Sequence, residues 1–182
     1  LDLTPTPTSV VAQNPYKGLR AFQESDAGDF FGREALTKQL LKRMDEDTPY
    51  YRFLAVVGPS GSGKSSVVKA GVIPALRQNA IEGANEWFIV EMTPGISPFD
   101  ELTQAFASVS ATQLPNLRGF VATPDAGGLT ALLKRILPTR TSELLLVIDQ
   151  FEEAFTQGND AERTLFLSAL QDAVTALDSR LR

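Results

Sequence analysis

Neither cysteine nor histidine occurs anywhere in the 182 residues. The first absence excludes disulfide cross-links and thiolate chemistry, and fits a reducing compartment. The second removes histidine triads, histidine general bases and histidine metal ligands together. No apolar run approaches the roughly 18 residues of a membrane-spanning helix. No basic-then-apolar leader opens the chain, so no secretory signal is expected and the expected location is cytoplasmic. Basic residues are too few for a nucleic-acid footprint, with 17 Lys and Arg against 22 Asp and Glu and a net charge of −5. What is present, 43% hydrophobic and 21% charged residues, is the balance of a globular chain, and the length suits one α/β core.

The run Thr4-Pro5-Thr6-Pro7-Thr8-Ser9 cannot hold a helix and has little to bury, so residues 1–15 read as a linker, as expected of a piece of a longer protein. The expected domain covers 16–182. Leu36, Leu40, Leu41 and Met44 recur at helical spacing between Gly32 and Asp45. Three short apolar runs read as parallel strands buried on both faces: Phe53–Val57, Trp87–Val90 and Leu144–Ile148. Between and after them lie helical patterns. One starts near Lys64 and should kink or end near Gly71, because Pro74 would clash with the carbonyl four residues back. A second opens with Ser97 as cap and Pro98 in its first turn, with Phe99, Leu102, Phe106 and Val109 as its buried stripe. A third covers about 125–137. The last runs from about Ala161 to the terminus, with Phe166, Leu170, Ala173, Val174, Leu177 and Leu181 inward. Alternating strands and helices predict an α/β fold with a parallel sheet covered on both faces, whose ligands bind at the carboxyl ends of the strands.

Two features sit at such ends. Gly58-Pro59-Ser60-Gly61-Ser62-Gly63-Lys64-Ser65 matches G-x-x-x-x-G-K-[ST], the Walker A pattern, between an apolar run and a helix. Glycines at 58, 61 and 63 let the backbone wrap an anion, and successive amides of Ser60, Ser62 and their neighbours can converge on it at a helix N-terminus. Lys64 reaches the β- and γ-phosphates, Ser65 can ligate Mg²⁺, and Ser66 can add a hydroxyl contact to the α-phosphate. A glycine- and serine-rich turn without a ligand shares the letters but does not require the flanking elements.

The second feature is Asp149-Gln150-Phe151-Glu152-Glu153, directly after the third apolar run. A carboxylate there suits a Walker B role, holding Mg²⁺ through its hard oxygen, whereas Asp149 as a plain helix cap is the competing reading. Glu152 or Glu153 can orient or deprotonate the attacking water, although acidic residues also favour a first helical turn for the dipole alone. The choice between the two stays open. No Asn-Lys-x-Asp occurs for guanine and no Leu-Ser-Gly-Gly-Gln for a transporter ATPase, while Asp125-Ala126-Gly127-Gly128 fits Asp-x-x-Gly by letters only. A small-molecule phosphotransferase shares the phosphate loop and stays open, as does a non-hydrolysing, nucleotide-stabilised interaction scaffold.

Asn14-Pro15-Tyr16-Lys17-Gly18-Leu19, Phe30-Phe31-Gly32-Arg33-Glu34, the phosphate loop and Asp149-Gln150-Phe151-Glu152-Glu153, in this order, resemble the STAND class of P-loop NTPases, closest to the bacterial novel-STAND branch often joined to β-propeller repeats. The resemblance implies a P-loop three-layer sandwich and an Mg-ATP-driven signalling switch that hydrolyses slowly. It also implies a sensor or repeat domain C-terminal to this region and a homo-oligomer on activation. It places Arg33 near the base or ribose, with the beginning of a helix as the alternative, and lets Tyr16 stack on adenine. It further implies that two more sheet strands follow the acidic one, beyond the present sequence, one of them lying between the phosphate-loop strand and the Asp149 strand and carrying a polar or basic sensor residue. The sheet is therefore expected to be incomplete, with exposed strand edges and hence weak stability, self-association or a rearranged sheet, with feeble or undetectable hydrolysis, and with Arg182 still in the helix that follows Asp149. Arg118, Arg135, Arg140 and Arg163 are candidates for a sensor or arginine finger by charge only, and surface solvation is the favoured reading for each.

Overall fold

The structure, a computed structural model, describes residues 18, 20–46, 52–110, 113–122 and 127–182. The expected linker over 1–15, Tyr16, and the segment containing Asp125 and Ala126 lie outside these described residues. In chain order come a 3₁₀ helix Glu24–Asp29, α1 (Glu34–Met44), α2 (Lys64–Ser66), a π-helical segment Val67–Val72, α3 (Ile73–Arg77) and a 3₁₀ turn Ala84–Glu86. They are followed by β1 (Phe88–Met92), α4 (Pro98–Ala107), α5 (Leu117–Ala122), α6 (Gly128–Ile136), β2 (Leu144–Ile148), α7 (Glu153–Thr156) and α8 (Asp160–Thr175).

β1 and β2 pair in parallel, in register from Phe88↔Leu144 to Met92↔Ile148. Their side chains alternate between two cores, as the period of two along a strand requires. Phe88, Val90, Met92, Leu144, Leu146 and Ile148 face the first core, where Phe99, Leu102 and Phe106 of α4, Leu132 and Leu133 of α6 and Phe166 of α8 close over them. Ile89, Leu145 and Val147 face the second, built from Leu40 and Met44 of α1, Val67 and Val72, Leu76 and Trp87. Helices thus cover both faces of a small parallel sheet, an α/β arrangement. The near-continuous apolarity of Leu144–Ile148 has its cause here, since neither face meets water.

The helical run through 64–77 does not stop at Gly71. It widens into a π turn, where Ile73 N–H donates to the carbonyl of Val68, five residues back. In an α register the Pro74 ring would strike the carbonyl of Ala70; the wider winding takes up the conflict, and the helix continues to Arg77. Gly71 lies against α1, where an added Cβ would come within 2.6 Å of Thr37 Oγ1 and 3.4 Å of the Phe30 ring.

Several expectations need correcting. Residues 53–57 form no ladder; Phe53 is 60% and Val57 90% exposed, and only Val56 of this run packs against the second core. The far edge of β2 is taken instead by residues 180–182: Leu144 N–H donates to Arg180 O at 2.8 Å, Arg182 N–H to Leu144 O at 2.8 Å and Leu146 N–H to Arg182 O at 3.1 Å. For the same reason the last helix does not reach the terminus. It ends at Thr175, Leu177 is 97% exposed, and Leu181, 2% exposed, is buried through a parallel bridge to Leu144. Three ladder bonds and a buried leucine outweigh continuing the helix. The second strand begins one residue late, at Phe88, and continues to Met92. Ser97 stands at the N-cap of α4 but makes no side-chain capping bond. The N-terminus of α8 does carry one, from Glu162 N–H to Asn159 Oδ1 at 2.8 Å.

Two stability predictions follow from this packing. Phe106→Ala, at a fully buried side chain, should cost about 3–5 kcal/mol by urea denaturation, whereas Leu177→Ala should stay within about 0.5 kcal/mol of wild type. Gly71→Ala should cost about 1–3 kcal/mol through overpacking, and most of that cost should disappear in a Thr37→Ala background, measured as a double-mutant cycle.

Candidate functional site

The glycine loop and the end of β2 meet. Asp149 follows β2, and its N–H donates to Met92 O at 2.9 Å, carrying the strand pairing one residue further. Across from it, Ser65 opens the helical run. Ser65 Oγ donates to Asp149 Oδ1 at 2.8 Å, although the two residues are 84 positions apart. Gln150, at a positive φ of 52°, turns its own N–H back onto the same Oδ1 at 3.0 Å.

The loop that brings Ser65 here depends on glycine. Gly61 and Gly63 stand at φ +74° and +86°, a region that other side chains occupy only under strain. The turn closes with Ser62 N–H donating to Pro59 O at 3.2 Å, and Val67 N–H to Gly63 O at 2.9 Å begins the helical pattern. Gly58, Ser60, Gly61, Ser62 and Gly63 are all exposed, so the loop is open to a solute. Lys64 Nζ donates to the loop's own carbonyls, Gly58 O at 2.9 Å and Pro59 O at 3.0 Å.

The remaining candidates are placed differently. The Ser66 hydroxyl accepts the N–H of Phe22 at 3.1 Å, tying the segment before the 3₁₀ helix to the helix after the glycine loop. Glu152 is exposed at the N-cap of α7 and Glu153 is half-buried in its first turn; the turn is fixed by Glu153 N–H to Gln150 O at 2.9 Å. Neither carboxylate is bonded to the loop among the described residues. Arg33 is exposed at the N-cap of α1, with no hydrogen bond or ion pair to the loop among the described residues. Its neighbour Glu34 accepts Gly32 N–H at 3.0 Å, and backbone N–H donors, first its own and then that of Gly32, hold its carboxyl below the ordinary range.

Sequence reasoning missed Lys69 and Glu91. Lys69 Nζ lies 2.9 Å from Glu91 Oε2 and 3.4 Å from Asp149 Oδ2. Partial burial disfavours the ammonium, but the hydrogen bond and charge of Glu91, helped by Asp149, outweigh it and raise the lysine above its usual pKa. Two signals were available: Lys69 falls one helical turn after Ser65, and Glu91 is a lone charge inside an apolar strand.

The donor set suits a magnesium ion. A serine hydroxyl and an aspartate carboxylate are hard oxygens, and Mg²⁺ is held by one or two such groups together with phosphate and water rather than by a closed protein cage. A separate cavity of about 280 Å³, lined by Met44, Asp45, Ile81, Trp87 and Arg182 among others, lies at the amino ends of the strands, away from Asp149. No helix among the described residues is long and apolar enough to cross a membrane.

Comparison with curated proteins and with solved structures gives no match. The family model described as Novel STAND NTPase 1 matches residues 15–182. With that match covering most of its length, the chain belongs to the novel STAND NTPase 1 family, a family of STAND-class NTPases.

Proposed function

We propose that the chain is the Mg-ATP-binding, slowly hydrolysing module of a signal-transduction switch, built on a P-loop three-layer sandwich. The observation that carries this reading is the 2.8 Å hydrogen bond between Ser65 and Asp149, which brings the glycine loop's helix and the acidic end of β2 together. Amides of the loop over 58–63 bind the phosphates, and the Lys64 ammonium moves from the carbonyls of Gly58 and Pro59 to the β- and γ-phosphate oxygens. Ser65 and Asp149 would hold Mg²⁺, which supplies charge neutralisation on those oxygens. Ser66 adds a contact to the α-phosphate, and Arg33 approaches the base or ribose. Glu152 or Glu153 orients the attacking water and takes its proton as the γ-phosphoryl group leaves ADP.

Switching follows from differential contact. A triphosphate touches both the loop and the Asp149 turn, a diphosphate touches them less, and the difference biases the arrangement of whatever packs against these two segments. A sensor or repeat domain C-terminal to this region and a homo-oligomer on activation belong to this reading, as does a cytoplasmic setting.

Calorimetry with ATP and Mg²⁺ tests the site. Wild type should bind below millimolar Kd, and Lys64→Ala should weaken binding about tenfold or more, the loss of one or two charge-assisted hydrogen bonds. Binding indifferent to Lys64→Ala rules the assignment out. In a phosphate-release assay on a longer chain that continues past Arg182, Glu152→Gln and Glu153→Gln, singly or together, should lower turnover about 10²-fold while leaving ATP affinity within about threefold. ATP binding with background turnover in wild type and in both variants would instead mark a non-hydrolysing scaffold.

A further inference from the structure

Asp149 is held by both of its oxygens. Ser65 Oγ and Gln150 N–H reach Oδ1 at 2.8 and 3.0 Å, and Lys69 Nζ pairs with Oδ2 at 3.4 Å. A carboxylate gripped through one oxygen turns freely about its terminal torsion; gripped through both, its plane is fixed. Ser65 and Lys69 are one helical turn apart, so a single helix face supplies both grips. The ammonium is anchored in turn by its shorter contact, 2.9 Å to Glu91 Oε2, and its side chain is only 17% exposed. Glu91 stands on β1, directly beside Val147 of β2. Helix, first strand and second strand are thereby joined through one nitrogen.

We propose that Lys69, anchored by Glu91, is a positioning residue that sets the plane of the Asp149 carboxylate for the divalent cation accompanying a nucleotide. The inference rests on the Mg-nucleotide reading above and adds to it a residue outside the phosphate loop and the acidic turn. Simple charge arithmetic predicts the opposite effect. Lys69 is a positive charge beside the cation's carboxylate, so its removal should tighten metal binding if charge alone mattered. Positioning predicts weaker binding, as loss of an outer-sphere partner does at metal sites.

The experiment measures ATP affinity by calorimetry in EDTA and across a Mg²⁺ titration, for wild type, Lys69→Met, Lys69→Arg, Glu91→Gln and Lys64→Ala. Lys69→Met should leave ATP affinity in EDTA within about twofold and raise the Mg²⁺ concentration for half-maximal enhancement about tenfold. Glu91→Gln should shift it in the same direction, about threefold or more, and Lys69→Arg should restore most of the difference. A half-point in Lys69→Met that is unchanged or lowered overturns the proposal, as does an equal loss of affinity with and without Mg²⁺. If thermal melting finds Lys69→Met unfolded, Glu91→Gln decides, with a raised half-point supporting the proposal and a wild-type one overturning it. Should Lys64→Ala abolish binding while both positioning variants respond to Mg²⁺ as wild type does, only the role of Lys69 fails. Should wild type show no Mg²⁺-dependent binding, the underlying reading fails with it.

Discussion

The parallel pairing of β1 with β2 governs the rest of the structure. Because the register is fixed, alternate side chains must go to opposite faces, and each face then needs its own helical cover. The first core takes its cover from the helices between the strands and from α8, the second from the helices that precede them. The same pairing sets the height of Asp149, whose amide bonds to Met92 at the carboxyl end of the sheet. The helical run beginning at Lys64 belongs to the second core through Val67, Val72 and Leu76, so packing on one face of the sheet delivers Ser65 to the acid at its edge.

The site depends on few strong interactions. Asp149 is partly exposed, and an ion pair in such a place contributes little to stability. Its importance is geometric: a hydroxyl and a carboxylate from two distant parts of the sequence are held at hydrogen-bonding distance. Under the proposed function, preorganisation of this kind lowers the ordering cost of binding.

How much was legible in the sequence differs between elements, for physical reasons. β2 was read with its limits correct because both its faces are buried, and an unbroken apolar run records that directly. The start of the helical run at Lys64 was readable because the glycines before it, at 61 and 63, suit the positive φ of the turn found there. The run at 53–57 shows the limit of the argument: apolarity states what a segment tolerates, not which neighbour it finds, and the edge of β2 is paired with 180–182. The end of α8 was missed for the same reason, since nothing local in Leu177 or Leu181 tells a helix stripe from a strand. α5 carried too short a pattern to register. Lys69 escaped because its role needs Glu91 and Asp149, which only the fold brings to it.

The resting position of Lys64 has a consequence for selectivity. Its ammonium already has two carbonyl acceptors within the loop. Any solute that draws it away must replace both, so what an anion gains is the difference between its own pull and theirs. A halide or a lone carboxylate repays little of that exchange. A polyphosphate chain has several oxygens for the lysine and the amides together, so under the nucleotide reading proposed above the exchange favours charge density before any contact to a base or sugar is made.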